Sequence, residues 1–216
     1  MPAPSQVAQG SADPAVTREV YNRQAQVFDA RRHRGLFEEG WLRRFAQMLP
    51  TKARVLDLGC GAGEPIAAWL MEQGYRVTGT DFAADILALA QTRWPDGDWR
   101  LADMRDFDLK DQFDGIIGWN SFFHLTPDEQ RHCLPRLARS LNPGGVLMLT
   151  VGTSEGAVTG TVGQERVYHA SLSPAEYATL LETHGLQLRA YVAEDDTCNG
   201  HSVLLARRGP EETSNG

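Results

Sequence analysis

The chain has 216 residues, 42% of them hydrophobic and 23% charged, the size and balance of one globular domain with a substantial core. Its formal net charge of −7 argues against a nucleic-acid partner, because such binding rests on neutralising phosphates with Lys and Arg. No apolar run approaches the roughly 18 residues of a membrane span, no signal-peptide pattern opens the chain, and three cysteines without metal-ligand spacing fit a cytoplasmic protein with neither disulfides nor a metal site.

Residues 1–13 are rich in Pro, Ala, Ser and Gln and predict a disordered tail. One domain is expected over 14–206, with a helical segment at 14–50 and an α/β core at 51–206, before a flexible tail at 207–216. Asp13 and Pro14 supply an N-cap and a first-turn proline for a helix carrying Val16, Val20, Tyr21, Val27 and Phe28. Leu36, Phe37, Trp41, Leu42 and Phe45 recur at helical spacing and predict a second helix from Gly35 to Leu49. Val55–Leu58 is an apolar strand of the buried type that runs into Gly59, Gly61 and Gly63. A helix with Ile66, Trp69 and Leu70 on its buried side follows at once. Glycines between a strand and a helix mark the cofactor turn of an open α/β sheet.

A dinucleotide fingerprint requires G-x-G-x-x-G, but position 64 is Glu and the spacing is G-x-G-x-G. Asp57 and Glu64 would repel a pyrophosphate; a cofactor with an ammonium, a sulfonium and no phosphate would meet no such repulsion. The stretch V-L-D-L-G-C-G-A-G (55–63) resembles motif I of the class I S-adenosylmethionine (SAM)-dependent methyltransferases. The resemblance implies an α/β, three-layer αβα Rossmann-like fold: a seven-stranded, mostly parallel sheet with one antiparallel edge strand, under an N-terminal helical lid. SAM would be the methyl donor and S-adenosylhomocysteine the product. Asp57, Gly59, Gly61 and Gly63 then fall to the cofactor, as does Tyr21 of the lid, while Phe28 and Arg31 would face the acceptor. Arg32 and Arg34 read as a solvated face.

Tyr75–Asp81 reads as the second strand. Asp81 follows Gly59 by 22 residues, about where an acid on the neighbouring strand end accepts the ribose hydroxyls of a bound adenosine. Phe82 would lie against the adenine. A helix carrying Ile86, Leu87 and Ala90 stops before Pro95, and residues 99–104 read as a third strand. The resemblance places Asp103 and Met104 of that strand at the adenine. Asp106, Asp108, Asp111 and Asp114 read as solvated loop charges. Phe113–Trp119 is the fourth strand. The Asn120-Ser121-Phe122-Phe123 that follows lacks both prolines of the [DNS]-P-P-[YF] tetrapeptide of N6-adenine and glutamine methyltransferases, and so resembles the small-molecule branch.

Thr126 and Ser173 each open a capping box, with Pro next and Glu three residues on. Between them, L-N-P-G-G (141–145) turns into a fifth strand, Val146–Val151. Gly152–Val167 reads as a loop at the pocket mouth, and Val167–Ala170 as a short strand. Strands at Leu186–Val192 and His201–Ala206 complete the sheet.

Methyl transfer from a sulfonium requires positioned reactants, exclusion of water, and a base where the nucleophile is neutral. His124, just past the fourth strand, is the first candidate base and His169 the second; His33, His132, His184 and His201 are expected to play no part. Trp41, Trp119, Phe122, Phe123 and Tyr168 would wall the acceptor pocket, Trp119 also meeting the cofactor. The expected reaction is methyl transfer to an O or N atom of an aromatic, heterocyclic or natural-product-like small molecule, by a monomer or homodimer. The alternatives are an NAD(P)-dependent oxidoreductase and a non-catalytic SAM-binding interaction protein.

Overall fold

The central strands sort their side chains onto two faces, and that alternation builds the molecule. In β1 (Arg54–Leu58), β4 (Phe113–Gly118), β5 (Leu141–Val151) and β9 (His201–Arg208) both faces are covered. Leu56, Leu58, Ile116, Leu147, Leu149 and Leu204 pack on one side, against Leu134 and Leu137 of α5 (Pro127–Ser140) and Tyr177 and Leu181 of α6 (Pro174–Thr183). Val55, Ile117, Val146, Met148, Val203 and Leu205 face the other way. Their partners are Trp41, Leu42 and Phe45 of α2 (Glu39–Ala46) and Ile66, Trp69 and Leu70 of α3 (Ile66–Glu72). Unbroken apolar runs are what a sheet covered on both faces demands. The computed structural model describes residues 12–106 and 110–210; most of both expected tails, and Asp108, lie outside the described residues.

With β2 (Arg76–Asp81), β3 (Asp98–Leu101) and β8 (Leu186–Asp195), the main sheet has the order β3-β2-β1-β4-β5-β9-β8. Pairing is parallel from β3 through to β5, and β9 runs antiparallel to both β5 and β8. The β8–β9 pair is the expected antiparallel edge. Strand order reverses between β1 and β4, which opens a crevice at their carboxyl ends.

Above that crevice lies α1 (Thr17–Arg31). Asp13 caps the 3₁₀ turn before it, accepting from the Ala15 N–H at 2.9 Å. Ala25 packs with Ala62 of the glycine turn and with Ala83 and Ile86 at the start of α4 (Ala84–Arg93), while Val20 packs with Val162 and Val167. The second helix is shorter than expected. The Gly35 N–H donates to Nδ1 of His33 at 2.9 Å, and this turn leaves residues 35–38 outside the helix, with Phe37 47% exposed.

Residues 152–167, read as a loop, are largely strand. β6 (Gly156–Val162) and β7 (Glu165–Ser171) form an antiparallel ribbon apart from the main sheet. Val158, Thr159, Thr161 and Val162 are β-branched, and the two-residue turn at Gly163-Gln164 has Gly163 at φ +62°, a hairpin signature. One face of β6 meets solvent, with Val158 63% exposed, so the apolar alternation that announces a strand is missing. Two smaller expectations also change. The Thr126 box closes reciprocally, at 2.7 and 3.3 Å, whereas Glu176 leaves its box to pair with Arg131 of α5 at 2.6 Å. Asp111 bridges Arg54 and Arg100, and Asp114 accepts from the Arg54 N–H and from Asn142, so neither is a merely solvated charge.

Candidate functional site

Backbone hydrogen bonds join the carboxyl ends of β1 and β2: the N–H groups of Gly59 and Cys60 donate to the Thr80 carbonyl at 2.7 and 2.9 Å. Asp81 takes the next pair, accepting from Gly61 N–H through Oδ2 and from Ala83 N–H through Oδ1, both at 2.9 Å. One carboxylate thus shapes the glycine turn and starts α4 while standing in the wall of a cavity. It is 8% exposed. Burial raises its pKa to about 6, against the lowering effect of those backbone donors. Asp57, 3% exposed in β1, is pushed by burial to about 7, with Arg32 opposing and Asp81 and Glu38 reinforcing the rise.

Two of the three glycines answer to packing. At Gly59 (φ +77°) a Cβ would stand 2.3 Å from Cβ of Ser121, so only glycine lets the ends of β1 and β4 close together. There the Ser121 hydroxyl donates to the Leu58 carbonyl at 2.5 Å. At Gly63 a Cβ would stand 3.0 Å from the Trp99 ring. Gly63 sits against β3 and α4, away from the cavity.

The cavity is a cleft that opens to solvent, with about 930 Å³ of empty space reaching out through its mouth. Tyr21, Gly59, Gly61 and Asp81 line it, as do Phe82, Asp103, Met104 and Trp119; Asp57 and Gly63 do not. Phe28 lines both this cavity and an adjoining outer one, where Arg31 stands. Several aromatic walls need correction. Trp41 is 3% exposed in the core beneath α2, its indole N–H donating to Asp195 at 2.8 Å. Phe122 is fully buried in the opposite layer, and the Tyr168 side chain, 6% exposed, lies outside the cavity lining. Phe123 and His169 pack together at 4.5 Å beside a separate depression under the ribbon. Apolar spacing made these aromatics look available, and the same spacing buries them.

His124 is held on both nitrogens. Nδ1 faces the Tyr168 carbonyl at 2.9 Å; a carbonyl only accepts, so Nδ1 carries the hydrogen and Nε2 accepts from the Tyr21 hydroxyl at 2.9 Å. Burial lowers the pKa of His124 to about 4, with the nearby His169 adding to the effect against the Tyr168 bond. Burial, then the charge of Asp81, pushes the Tyr21 phenol well above its usual range. The result is a neutral imidazole that orients a neutral phenol at the cavity wall. His169, itself lowered by burial, backs His124 at 4.9 Å and does not line the cavity.

Four polar residues of the crevice escaped the sequence reading. Arg32 lines both cavities, its Nε 3.4 Å from the Glu64 carbonyl. Thr17 is 1% exposed, and its hydroxyl in the cavity lining has no partner. Asn120, at φ +54°, donates its N–H to Thr150 at 2.7 Å and leaves its buried side-chain oxygen unpaired. His201 stacks on Trp119 at 5.5 Å. Only Asn120 carried a signal, as a residue type that tolerates positive φ directly after a strand. Ion pairs clamp the lid: Asp29 binds Arg93 and Arg34, and Arg34 reaches Glu64 at 2.8 Å. These guanidiniums, Arg93 first, hold the Asp29 carboxyl below its ordinary range. Among the described residues no group of three or more His, Cys, Asp or Glu side chains is placed to hold a metal ion, and no helix is long and apolar enough to cross a membrane.

Residues 55–145, from β1 to the turn in β5, match the family described as the methyltransferase domain. Over those residues the chain carries a methyltransferase domain, similar to the class I SAM-dependent methyltransferases. It is 36% identical over 104 residues to trans-aconitate 2-methyltransferase of Variovorax paradoxus, a match covering 47% of this chain and 39% of that protein. It is 31% identical over 103 residues to dTDP-4-amino-2,3,4,6-tetradeoxy-D-glucose N,N-dimethyltransferase of Saccharopolyspora spinosa, covering 47% and 41%. These matches therefore span about two fifths of the curated relatives' length. Among solved structures, the 1,6-didemethyltoxoflavin-N1-methyltransferase of Burkholderia thailandensis superposes with a TM-score of 0.69 over 94% of this chain and 93% of its own, at 22% identity. That likeness is one of fold.

Proposed function

We propose that the chain moves a methyl group from SAM to an O or N atom of a small molecule. The observation that carries this is the charge left over in the cavity. Asp29 and Glu64 are tied to Arg34 and Arg93, and Asp103 is tied to Arg105. Of the lining charges, Asp81 and Arg32 remain without an ion pair, with Asp57 enclosed behind them. SAM matches that remainder: a ribose diol for Asp81, a carboxylate for Arg32, and a net positive sulfonium and ammonium in the field of Asp57. A pyrophosphate would set its charge against two buried carboxyls. The unpartnered Thr17 hydroxyl is a further polar group that a ligand would satisfy.

When bound, SAM supplies an electrophilic methyl group on a good leaving group. The chain positions it and keeps water away. Asp81 would hold the sugar, while Phe82, Met104 and Asp103 enclose the base. The α1 helix, clamped through Asp29 and Arg93, covers one side of the site and limits its contact with solvent. Tyr21, donating to His124, keeps its oxygen lone pairs for the cavity, so His124 serves by orienting Tyr21. Its lowered pKa makes it a poor store for a proton. The two curated relatives, a trans-aconitate methyltransferase and an amino-sugar N,N-dimethyltransferase, support a small acceptor.

Calorimetric titration with SAM, S-adenosylhomocysteine and NADH tests the cavity, and release of S-adenosylhomocysteine across a metabolite library tests the reaction. Binding of the first two and not the third is expected. Tighter binding of NADH would end the proposal.

A further inference from the structure

The outer cavity next to the proposed cofactor site contains a carboxyl group with nothing to bind. Glu38 precedes α2 and is 5% exposed, yet it makes no side-chain capping bond, and no hydrogen bond or ion pair among the described residues involves its carboxyl. Its carboxyl oxygens are not among the buried partnerless polar atoms, so they stay open to the cavity, where donors of an occupant can reach them. Two more acceptors line the same cavity. The Asn120 side-chain oxygen is buried without a partner. The His201 ring faces the Cys198 carbonyl through Nδ1 at 2.8 Å, so Nδ1 carries the hydrogen and Nε2 keeps a free lone pair. The surrounding surface is aromatic, from Phe28, Phe37 and Trp119. Arg32, assigned above to the carboxylate of the cofactor, and the exposed Arg31 also line it.

We infer that the methyl acceptor is an amine, its N–H groups received by Glu38, Asn120 and His201 among the aromatic rings. This rests on the methyltransferase reading and narrows it from O or N to N. Several hydrogen-bond acceptors lining one aromatic pocket suit a group with more than one donor, and aromatic faces add attraction for an amine in its cationic form before it reacts as the neutral base. In the transfer, the lone pair of the neutral amine forms the bond to the methyl carbon as the carbon–sulfur bond breaks and sulfur keeps that pair. The displaced N–H proton leaves to Nε2 of His201. A hydroxyl in the same place offers one donor for three acceptors and leaves the others unpaired.

The test uses the full chain in two stages. Calorimetry with SAM comes first, because failure to bind it removes the methyltransferase reading itself. Matched pairs are then assayed for S-adenosylhomocysteine release with the product weighed by mass spectrometry: benzylamine against benzyl alcohol, phenethylamine against phenethyl alcohol, glucosamine against glucose. Amines are expected to exceed their alcohols in kcat/KM by at least about tenfold, with the methyl group on nitrogen. Glu38→Gln should lose most of that ratio with an unchanged SAM dissociation constant, and Glu38→Asp should keep part of it. A SAM-binding chain that methylates only the alcohols, or none of the amines, overturns the inference. So does a Glu38→Gln variant whose amine-to-alcohol ratio is that of the parent.

Discussion

The two sides of the crevice are built on different principles. The glycine-turn wall of the proposed cofactor side is a local construction: Asp81 shapes the turn at Gly61, 20 residues away, and the helix start at Ala83, two residues away. The proposed acceptor side is assembled from the end of α1, the turn before α2, the end of β4, the ribbon tip and the β8–β9 turn. One of its supporting bonds, from Trp41 to Asp195, spans 154 positions. A locally built wall needs only one contiguous stretch of sequence. A half assembled from remote pieces changes whenever one piece moves, which is how one fold serves many acceptors.

That contrast predicts which substitutions damage the frame and which damage only one side. The largest effect is expected at Trp41. Read from the sequence as an acceptor wall, it sits in the core, so Trp41→Ala should cost about 3–5 kcal/mol of stability by denaturant titration. The SAM affinity of the folded fraction should not change. A variant of parental stability with altered acceptor choice would return Trp41 to the pocket and weaken the contrast.

His124, at the seam of the two sides, should show itself through pH. Its pKa is about 4 in the fold against an ordinary 6.5, so between those values the unfolded chain binds the proton and the folded one does not. Stability from this group is intact above about pH 6.5 and is lost as pH falls towards 4, by about 3 kcal/mol in full. Asp57 and Asp81, with raised pKa values, act in the opposite sense. The quantity to measure is therefore the difference between parent and His124→Gln across pH 4–7. The parent should lose ground steadily on the acid side. Parallel pH profiles would mean that the imidazole is solvated.

Legibility in the sequence followed the same divide. The strand, the three glycines and the acid on the next strand are a contiguous pattern dictated by backbone geometry, so Gly59, Gly61 and Asp81 could be placed at one crevice from their order alone. Glu38, Arg32 and His201 could not. Each sits in an ordinary polar stretch, and nothing local shows that Arg32 ends beside the glycine turn or that His201 stacks on Trp119. The β6–β7 ribbon stayed hidden for a related reason: its outer face is solvated, and its Thr and Gly content resembles a loop. Aromatic side chains misled most, since burial in a core and exposure in a pocket draw on the same residues.

On the cofactor side Asp81→Ala should weaken SAM binding by about 1–3 kcal/mol, the range for losing hydrogen bonds to a charged group. Affinity in the parent should rise with pH through about 6, as Asp81 becomes the ionised acceptor. Titrations at pH 5 and pH 8 check both statements. A dissociation constant unchanged in the variant would take Asp81 out of the site, and the local half of the comparison with it.

The smallest expected effect separates a ligand-binding hydroxyl from a packing one. Thr17 is 1% exposed with its hydroxyl unpartnered in the cavity wall, and Val has nearly its shape. Removing an unsatisfied buried polar group in exchange for an isosteric methyl should raise the stability of the ligand-free chain by up to about 1 kcal/mol. If SAM uses that hydroxyl, Thr17→Val should weaken SAM binding by a similar amount, so the two measurements move in opposite directions. A structural hydroxyl would move stability downward and leave SAM affinity alone. A rise in melting temperature coupled to a weaker SAM complex is therefore a signature that packing does not produce, and it would extend the cofactor side from the glycine turn to the first turn of α1.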